Sequence, residues 1–326
     1  MEFRTQIENF RAPFSIGLQH SLFFMGSCFA DNMSQQFSKL KFLVTSNPYG
    51  TLYNPLSICT ALNHMLDRKK YDARVLVQHG GVFYSWLHHG SVSALSEDEL
   101  INKMNAINED VNTKLSTSDF LFITLGSAWA YQLKEDKRLV ANCHKAPANN
   151  FEKVLIETQQ IVTKFEKLIL KLESFNPKLK IILTVSPVRH AKDGLIENNL
   201  SKAELIKAVH ELCKLQPCYY LPVYEWVIDD LRDYRFYDKD LVHPNSLAQD
   251  YIWEQLSSLF FSEETKQSLK KVSQFVAGVN HHPFQENSAK HISFMEKLLT
   301  QGEELERKLG VDLSQELHLL SQKLKQ

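Results

Sequence analysis

Apolar residues fall along the chain in short unbroken runs separated by longer stretches of mixed polarity. Residues 21–26 (SLFFMG) read as a buried strand, 31–40 as a helix with Asp31 near its positive N-terminal end, and 41–45 as a second strand. The segment 47–55 (NPYGTLYNP) is dense in turn formers and aromatics, which predicts a loop of the kind that lines sites, and a helix follows over 56–66. A strand is expected at 82–87, running directly into His88-His89-Gly90. The order DFLFITL at 119–125 is the clearest parallel-type strand, and it ends at Gly126-Ser127-Ala128-Trp129. Asn142-Cys143-His144-Lys145 falls in the loop after it. The spacing predicts a long helix over 151–173 and a strand at 180–185 that stops at Ser186-Pro187-Val188-Arg189-His190. A helix over 202–214 and a last strand at 219–223 complete the pattern.

Strands separated by helices favour parallel βαβ units with helices on both faces of one sheet, an α/β class. Ligands of such sheets bind outside the carboxyl ends of the strands, and Gly26-Ser27, Gly126-Ser127, Ser186-Pro187 and the histidine pairs all follow apolar runs. From residue 262 the character changes. Strand signals stop, and 290–320 carries Phe294, Leu298, Leu305 and Leu309 at helical spacing among charges. The expected division is an α/β domain over 1–261 and a helical C-terminal extension over 262–326 that packs on the core or on a partner. His281-His282-Pro283, in the extension, reads as structural.

Composition narrows the function classes. A chain of 326 residues, 44% hydrophobic and 23% charged with 11 Gly and 10 Pro, can bury a sizeable core without staples. A net charge of -1 without a basic block gives no footprint for nucleic acid. The first residues lack a basic end followed by an apolar core, and no run reaches the roughly 18 apolar residues of a membrane span, so a cytoplasmic protein is expected. Five scattered cysteines, an odd number, fit free thiols in a reducing compartment.

Esterolytic catalysis by serine needs a hydroxyl, an imidazole to take its proton and a carboxylate to orient the imidazole. Ser27, His243 and Asp240 supply these three, and an Asp at i with a His at i+3 can meet within one short segment. The structural alternative is that Asp240 caps a helix and His243 is an ordinary histidine.

The residues also carry a resemblance. Gly26-Ser27-Cys28-Phe29-Ala30 is the sequence that names the GSCFA family, placed within the SGNH (GDSL-like) hydrolase superfamily. The likeness continues through Asn47 to Pro55, Ser85-Trp86-Leu87-His88-His89, Thr124 to Trp129, Asn142 to Lys145, Thr184 to His190 and Leu231 to Tyr237, and finishes in Asp240-Leu241-Val242-His243-Pro244. It implies a three-layer α/β/α, flavodoxin-like parallel sheet, with Ser27 as nucleophile, His243 as base and Asp240 as its orienting partner. Oxyanion donors implied by the resemblance are the Ser27 amide, a glycine for which Gly50 is the candidate, and an asparagine in a Gly-x-Asn block. Here that block is Gly126-Ser127-Ala128, with Ala128 in the asparagine position. Loss of one such donor raises a barrier by ~3 kcal/mol. Asn47, Asn54 and the Ser127 hydroxyl are replacement donors. The first block departs as well, with Cys28 in place of the usual aspartate.

Two rivals stand beside this reading. Cys28 at a helix start would be a better nucleophile than a hydroxyl, although the resemblance assigns that role to Ser27. His88, His89, His144, His190, His243 and Cys143 are numerous enough for a metal site, but their spacings match no standard zinc motif, and neither metal nor cofactor is expected. Tyr49, Asn54, His89, Trp129, His144, Arg189 and His190 are taken instead as substrate contacts, with arginine suited to a carboxylate or phosphate. The expected function is a serine-dependent acyl-ester hydrolase (esterase or deacetylase) or O-acyltransferase acting on a small-molecule or glycan ester. The alternatives are a non-hydrolytic glycan- or acyl-binding regulatory module and a metal-dependent hydrolase using the His/Cys cluster. No nucleic-acid partner is expected, and the C-terminal helices offer a surface for self-association.

Overall fold

A computed structural model of the chain describes residues 5–7, 12–281 and 289–324. His282 and Pro283 lie outside the described residues. The strands are β1 Ser21–Gly26, β2 Leu43–Ser46, β3 Leu76–His79, β4 Val82–Ser85, β5 Ser93–Ala94, β6 Phe120–Leu125, β7 Trp129–Leu133, β8 Leu139–Val140, β9 Phe151–Leu155, β10 Lys180–Val185 and β11 Cys218–Tyr220. The helices are α1 Cys28–Lys39, α2 Pro55–Leu66, α3 Glu97–Thr117, α4 Thr158–Phe175, α5 Leu195–Leu215, the single turn α6 Val223–Glu225, α7 Ser246–Phe260, α8 Glu263–Val279, α9 Ala289–Leu309 and α10 Ser314–Lys323.

Five strands form the central parallel sheet in the order β11-β10-β6-β1-β2, flanked by helices, a three-layer α/β/α architecture. β6 lies between β1 and β10, with Phe23 opposite Leu121 and Ile182 opposite Phe122. All six β6 residues are buried, which is why this strand reads as a continuous apolar run. The main core gathers the sheet's inner side chains with α2, α4 and α5, including Leu62, Phe165, Leu183 and Val209. This core and the site described below belong to one compact unit, residues 5–7, 22–34 and 45–252.

The second compact unit comprises residues 12–21, 35–44 and 253 onward. Inside it α8, α9 and α10 enclose Phe275, Val279, Leu298, Leu305 and Leu320. Of the four positions read as its apolar stripe, Leu298 and Leu305 are buried, Leu309 packs at the edge, and Phe294 is largely exposed. Among the described residues no helix is long and apolar enough to cross a membrane.

The sequence reading departs from the structure at three places. The strand expected at 82–87 is β4, but it joins a separate antiparallel sheet β3-β4-β5 and not the central one. The helix expected over 151–173 begins only at Thr158. Its first five residues form β9, which pairs antiparallel with β7 from Leu133 opposite Phe151 to Trp129 opposite Leu155. The Glu157 amide donates to the Gln160 side chain (3.0 Å), so the helix start is set by local capping. The 21-residue helix α3 carries buried Asn108 and Asn112 on its inner face, which dilutes the apolar periodicity and hides it. Asn112 donates to the carbonyls of Met65 and Leu66 at the end of α2, so these polar positions are satisfied by tertiary partners.

What positions the site is the turn between β1 and α1. Gly26 has φ +132°, and a Cβ placed there would stand 2.1 Å from the Thr124 carbonyl oxygen. Only glycine lets the two backbones approach so closely. The Gly26 amide donates to Asn47 Oδ1 (2.7 Å) and the Ser27 amide to the Thr124 carbonyl (3.1 Å). Asn47 Nδ2 in turn donates to Asp31 Oδ1 (2.8 Å), which also accepts from Ser46 Oγ, while Asp31 Oδ2 accepts from Thr51 Oγ1 (both 3.0 Å). Asp31 therefore ties the first turn of α1 to the loop that follows β2.

Two outcomes follow. Gly26→Ala should destabilise the protein by ~3 kcal/mol or abolish folding, read from chemical denaturation, because a strained φ is combined with a backbone clash. Asp31→Ala, which strips three donors of their acceptor, should cost about 2 kcal/mol in the same measurement, with Asp31→Asn recovering part of the loss.

Candidate functional site

The carboxyl ends of β1, β6 and β10 open on a crevice of about 740 Å³. Its walls come from Cys28 at the start of α1, Tyr53 and Asn54 before α2, Ser127, Trp129 and Ala130 after β6, and 188–193 after β10, with Val242 and His243 from the 237–245 loop. The outlying sheet β8-β7-β9 adds Tyr131, Val140 and Phe151, so one wall is largely apolar.

The 237–245 loop builds its own dyad. Asp240 Oδ1 accepts the amides of Val242 and His243 (3.0 Å each), and Oδ2 lies 2.6 Å from His243 Nδ1. These amides and the imidazole hold the Asp240 carboxyl down at about 2. With Nδ1 donating to the carboxylate, Nε2 presents its lone pair to the crevice. That nitrogen stands 3.9 Å from Cys28 Sγ. The side chains of His243 and Asp240 are 43% and 49% exposed, so the dyad sits at the rim and not in the core.

Ser27 is placed differently. It is 1% exposed, does not line the crevice, and its hydroxyl makes no hydrogen bond among the described residues. The side chain that meets His243 Nε2 is thus Cys28, while the Ser27 hydroxyl makes no hydrogen bond to the imidazole. In this turn the Ser27 amide donates to the Thr124 carbonyl with the Ser27 side chain buried, and the next residue, the first of α1, faces the histidine. Burial and the Asp31 carboxylate push the Cys28 thiol up, while the amides of Phe29 and Cys28 and the ammonium of Lys202 pull it back.

The oxyanion donors expected from the sequence are already engaged. The Gly50 amide donates to the Asn47 carbonyl (2.7 Å), and the amides of Gly126 and Ser127 both donate to the Tyr53 carbonyl (2.9 and 3.0 Å). Asn47 is held by Gly26 and Asp31 as described. Asn54 caps α2, its Oδ1 accepting the Ser57 amide (2.8 Å), although it also lines the crevice. Ser127 Oγ accepts from the Trp129 amide (3.1 Å) and lies 3.2 Å from Ser201 Oγ. Of these groups, Asn54 and Ser127 line the crevice.

Of the expected substrate contacts, Trp129, Asn54, Arg189 and His190 line the crevice, and Tyr49, His89 and His144 do not. Tyr49 is fully buried, stacked on His88 with its hydroxyl bonded to Tyr71 and Asn108, and burial pushes that phenol well up. His144 stacks on Tyr84 and lies 2.7 Å from the Ser85 carbonyl, a packing role. His89 bonds to Ser91 beside the Gly50 turn. Trp129 is anchored by its indole N–H on the Glu197 carbonyl (3.0 Å) and carries Lys153 over its ring. His190 packs edge-on against Tyr53, and burial pushes it down to about 4, which keeps it neutral near pH 7. Arg189 is half-buried with no carboxylate within 4 Å among the described residues, whereas its neighbour Asp193 is paired with Lys153. Among the described residues no three His, Cys, Asp or Glu side chains are grouped to hold a metal ion.

Sequence reasoning passed over Tyr53 and Lys202. The signal for Lys202 was available in the helical register, since it shares the inner face of α5 with Asn198, Leu205, Val209 and Leu212.

Two family models match the chain: the GSCFA family over residues 21–256, and the GSCFA domain protein, C-terminal domain, over residues 272–326. Comparison with curated proteins returned no match. The first match spans well over half of the chain and includes the β1–α1 turn, the crevice and the Asp240–His243 loop, and the chain belongs to the GSCFA family.

Proposed function

We propose that this chain is an acyl-ester hydrolase or acyltransferase in which Cys28, and not Ser27, is the nucleophile. The observation that carries the reading is the line Cys28 Sγ, His243 Nε2, His243 Nδ1, Asp240 Oδ2, with separations of 3.9 Å and 2.6 Å at its two contacts. A thiol raised by burial is protonated at rest, so the histidine acts as a general base at the moment of attack.

In the proposed cycle His243 Nε2 takes the Cys28 proton as the sulfur bonds to the acyl carbonyl carbon. The carbonyl oxygen becomes an oxyanion beside the amides of Cys28 and Phe29, which open α1 and precede the first intrahelical bonds. The C–O bond of the ester breaks, His243 returns the proton to the departing alcohol, and a thioester on Cys28 remains. Water, or an acceptor hydroxyl, then attacks that thioester while giving its proton to His243. The C–S bond breaks, and the proton passes back to the sulfur. Asp240 holds the imidazole tautomer and stabilises the imidazolium throughout. The apolar wall of Trp129, Val140 and Phe151 suits the acyl group, and Arg189, with no carboxylate within 4 Å among the described residues, suits an anionic group on the small-molecule or glycan portion.

A non-hydrolytic binding module on the same fold is the second reading. It is favoured by one observation, that each backbone amide nominated from the sequence as an oxyanion donor is engaged elsewhere.

On a panel of short acyl esters, Cys28→Ala should abolish turnover, while Ser27→Ala keeps turnover within about tenfold of the parent. Turnover that survives Cys28→Ala and is lost in Ser27→Ala would reverse the assignment, and ligand-induced thermal stabilisation without any turnover would select the binding module. Asp240→Asn should lower kcat by about a hundredfold or more with little change in KM, measured on the same panel.

A further inference from the structure

Lys202 is 1% exposed and sits on the inner face of α5. Its Nζ donates to the carbonyls of Gly126 (2.7 Å) and Ser186 (2.6 Å), the first residues beyond β6 and β10. Gly126 is packed under the nucleophile turn, where an added Cβ would come 3.1 Å from Ser27 Cβ. No carboxylate lies within 4 Å of the ammonium among the described residues. An ammonium has three N–H donors, and the two carbonyls account for two of them. A buried cation without an anion is costly, and such lysines are rare in ordinary cores.

We propose that Lys202 is the buried counter-charge of Cys28: an ammonium fixed beneath the β1–α1 turn that stabilises the thiolate as it forms and the oxyanion that inherits its charge. Lys202 acts through Cys28, so it is a positioning residue and touches no reacting atom. The inference takes from the proposed function only that Cys28 is the reactive sulfur.

The charges around the pair agree with this assignment. Burial pushes Lys202 down to about 7, and Cys28 draws it back up. In the other direction, Lys202 lowers Cys28. The remaining titratable neighbours oppose or ignore the pair. Asp31, one turn along α1, raises Cys28; Tyr53 from the loop before α2 is itself raised by burial and by Cys28; His243 approaches from the 237–245 loop; and His190, from the loop before α5, is lowered by burial and by Lys202. The ammonium favours the thiolate as it forms, and by linkage an anion placed at the sulfur must favour the ammonium equally.

The test is the pH profile of Cys28 alkylation by iodoacetamide, followed by peptide mass spectrometry on the full chain, in the parent, Lys202→Met and Lys202→Arg. Met removes the charge at similar volume and should make alkylation at pH 7 about tenfold slower, with the profile displaced to higher pH; Arg should retain most of the parent rate. A folded Lys202→Met protein with the parent profile overturns the proposal. If neither variant folds, the reciprocal measurement decides: ¹⁵N-lysine NMR of the parent and of Cys28→Asp, in which a carboxylate in place of the protonated thiol should raise the Lys202 Nζ midpoint. An unchanged midpoint overturns the proposal. Alkylation and NMR need no substrate, so a failed ester panel would sink the proposed function while leaving this coupling separately measured.

Discussion

The close approach of the β1 end to the β6 backbone is the constraint on which the site depends. Gly26 can lie against the Thr124 carbonyl only because it has no side chain, and the Asn47 and Asp31 side chains hold it there through its amide. Those bonds fix where α1 begins, and so decide which of two adjacent small side chains points into the core and which into the crevice. A hydrogen-bonded acid on the first turn of a helix is also favoured by the helix dipole, so Asp31 serves the turn and the helix together. The same carboxylate raises the Cys28 thiol, so the residue that secures the geometry works against the thiolate. The buried ammonium of Lys202 acts on the thiol in the other sense, so the turn and Lys202 bear on Cys28 with opposite signs.

Around this turn the fold divides its labour by element type. Parallel strands bring three loop starts to one edge, and the buried amides there bond to backbone carbonyls, so the floor is rigid. The dyad, by contrast, is formed within one loop, where Asp240 binds two amides and the imidazole of a residue three positions away. A rim dyad of this kind needs little from the core beyond a correct approach direction, to which the bond from the Arg189 amide to the Val242 carbonyl (3.4 Å) contributes. The small antiparallel sheets carry the surfaces that differ from a bare α/β domain, and the β7–β9 pair supplies the apolar wall of the crevice.

Much of this was legible in the sequence. The strands at 21–26, 120–125 and 180–185 are apolar on both faces, a pattern that only a covered parallel sheet satisfies, and their loop ends mark the crevice without any coordinates. The proximity of Asp240 and His243 was equally readable, because both partners lie within four residues and need no long-range contact. Elements whose inner faces are polar, such as α3 with Asn108 and Asn112, escaped notice because hydrogen bonds to distant carbonyls replace the apolar stripe. β9 was read as helix because Phe151, Val154 and Leu155 fall at helical spacing and extend the periodicity of the capped helix that follows, and only the partner strand β7 distinguishes the two.

The sequence by itself determined the α/β class, the parallel core strands, the family motif at the β1–α1 turn and the local Asp240–His243 pair, because each rests on spacing within a short segment. Tertiary structure decided what spacing cannot express. Ser27 and Cys28 are adjacent, so their order along the chain does not say which one faces His243; that depends on a backbone bond to Thr124, nearly a hundred residues away. Lys202 likewise looks like any lysine on a helix until β6 and β10 bring the carbonyls of Gly126 and Ser186 to its ammonium, and burial then makes its charge matter.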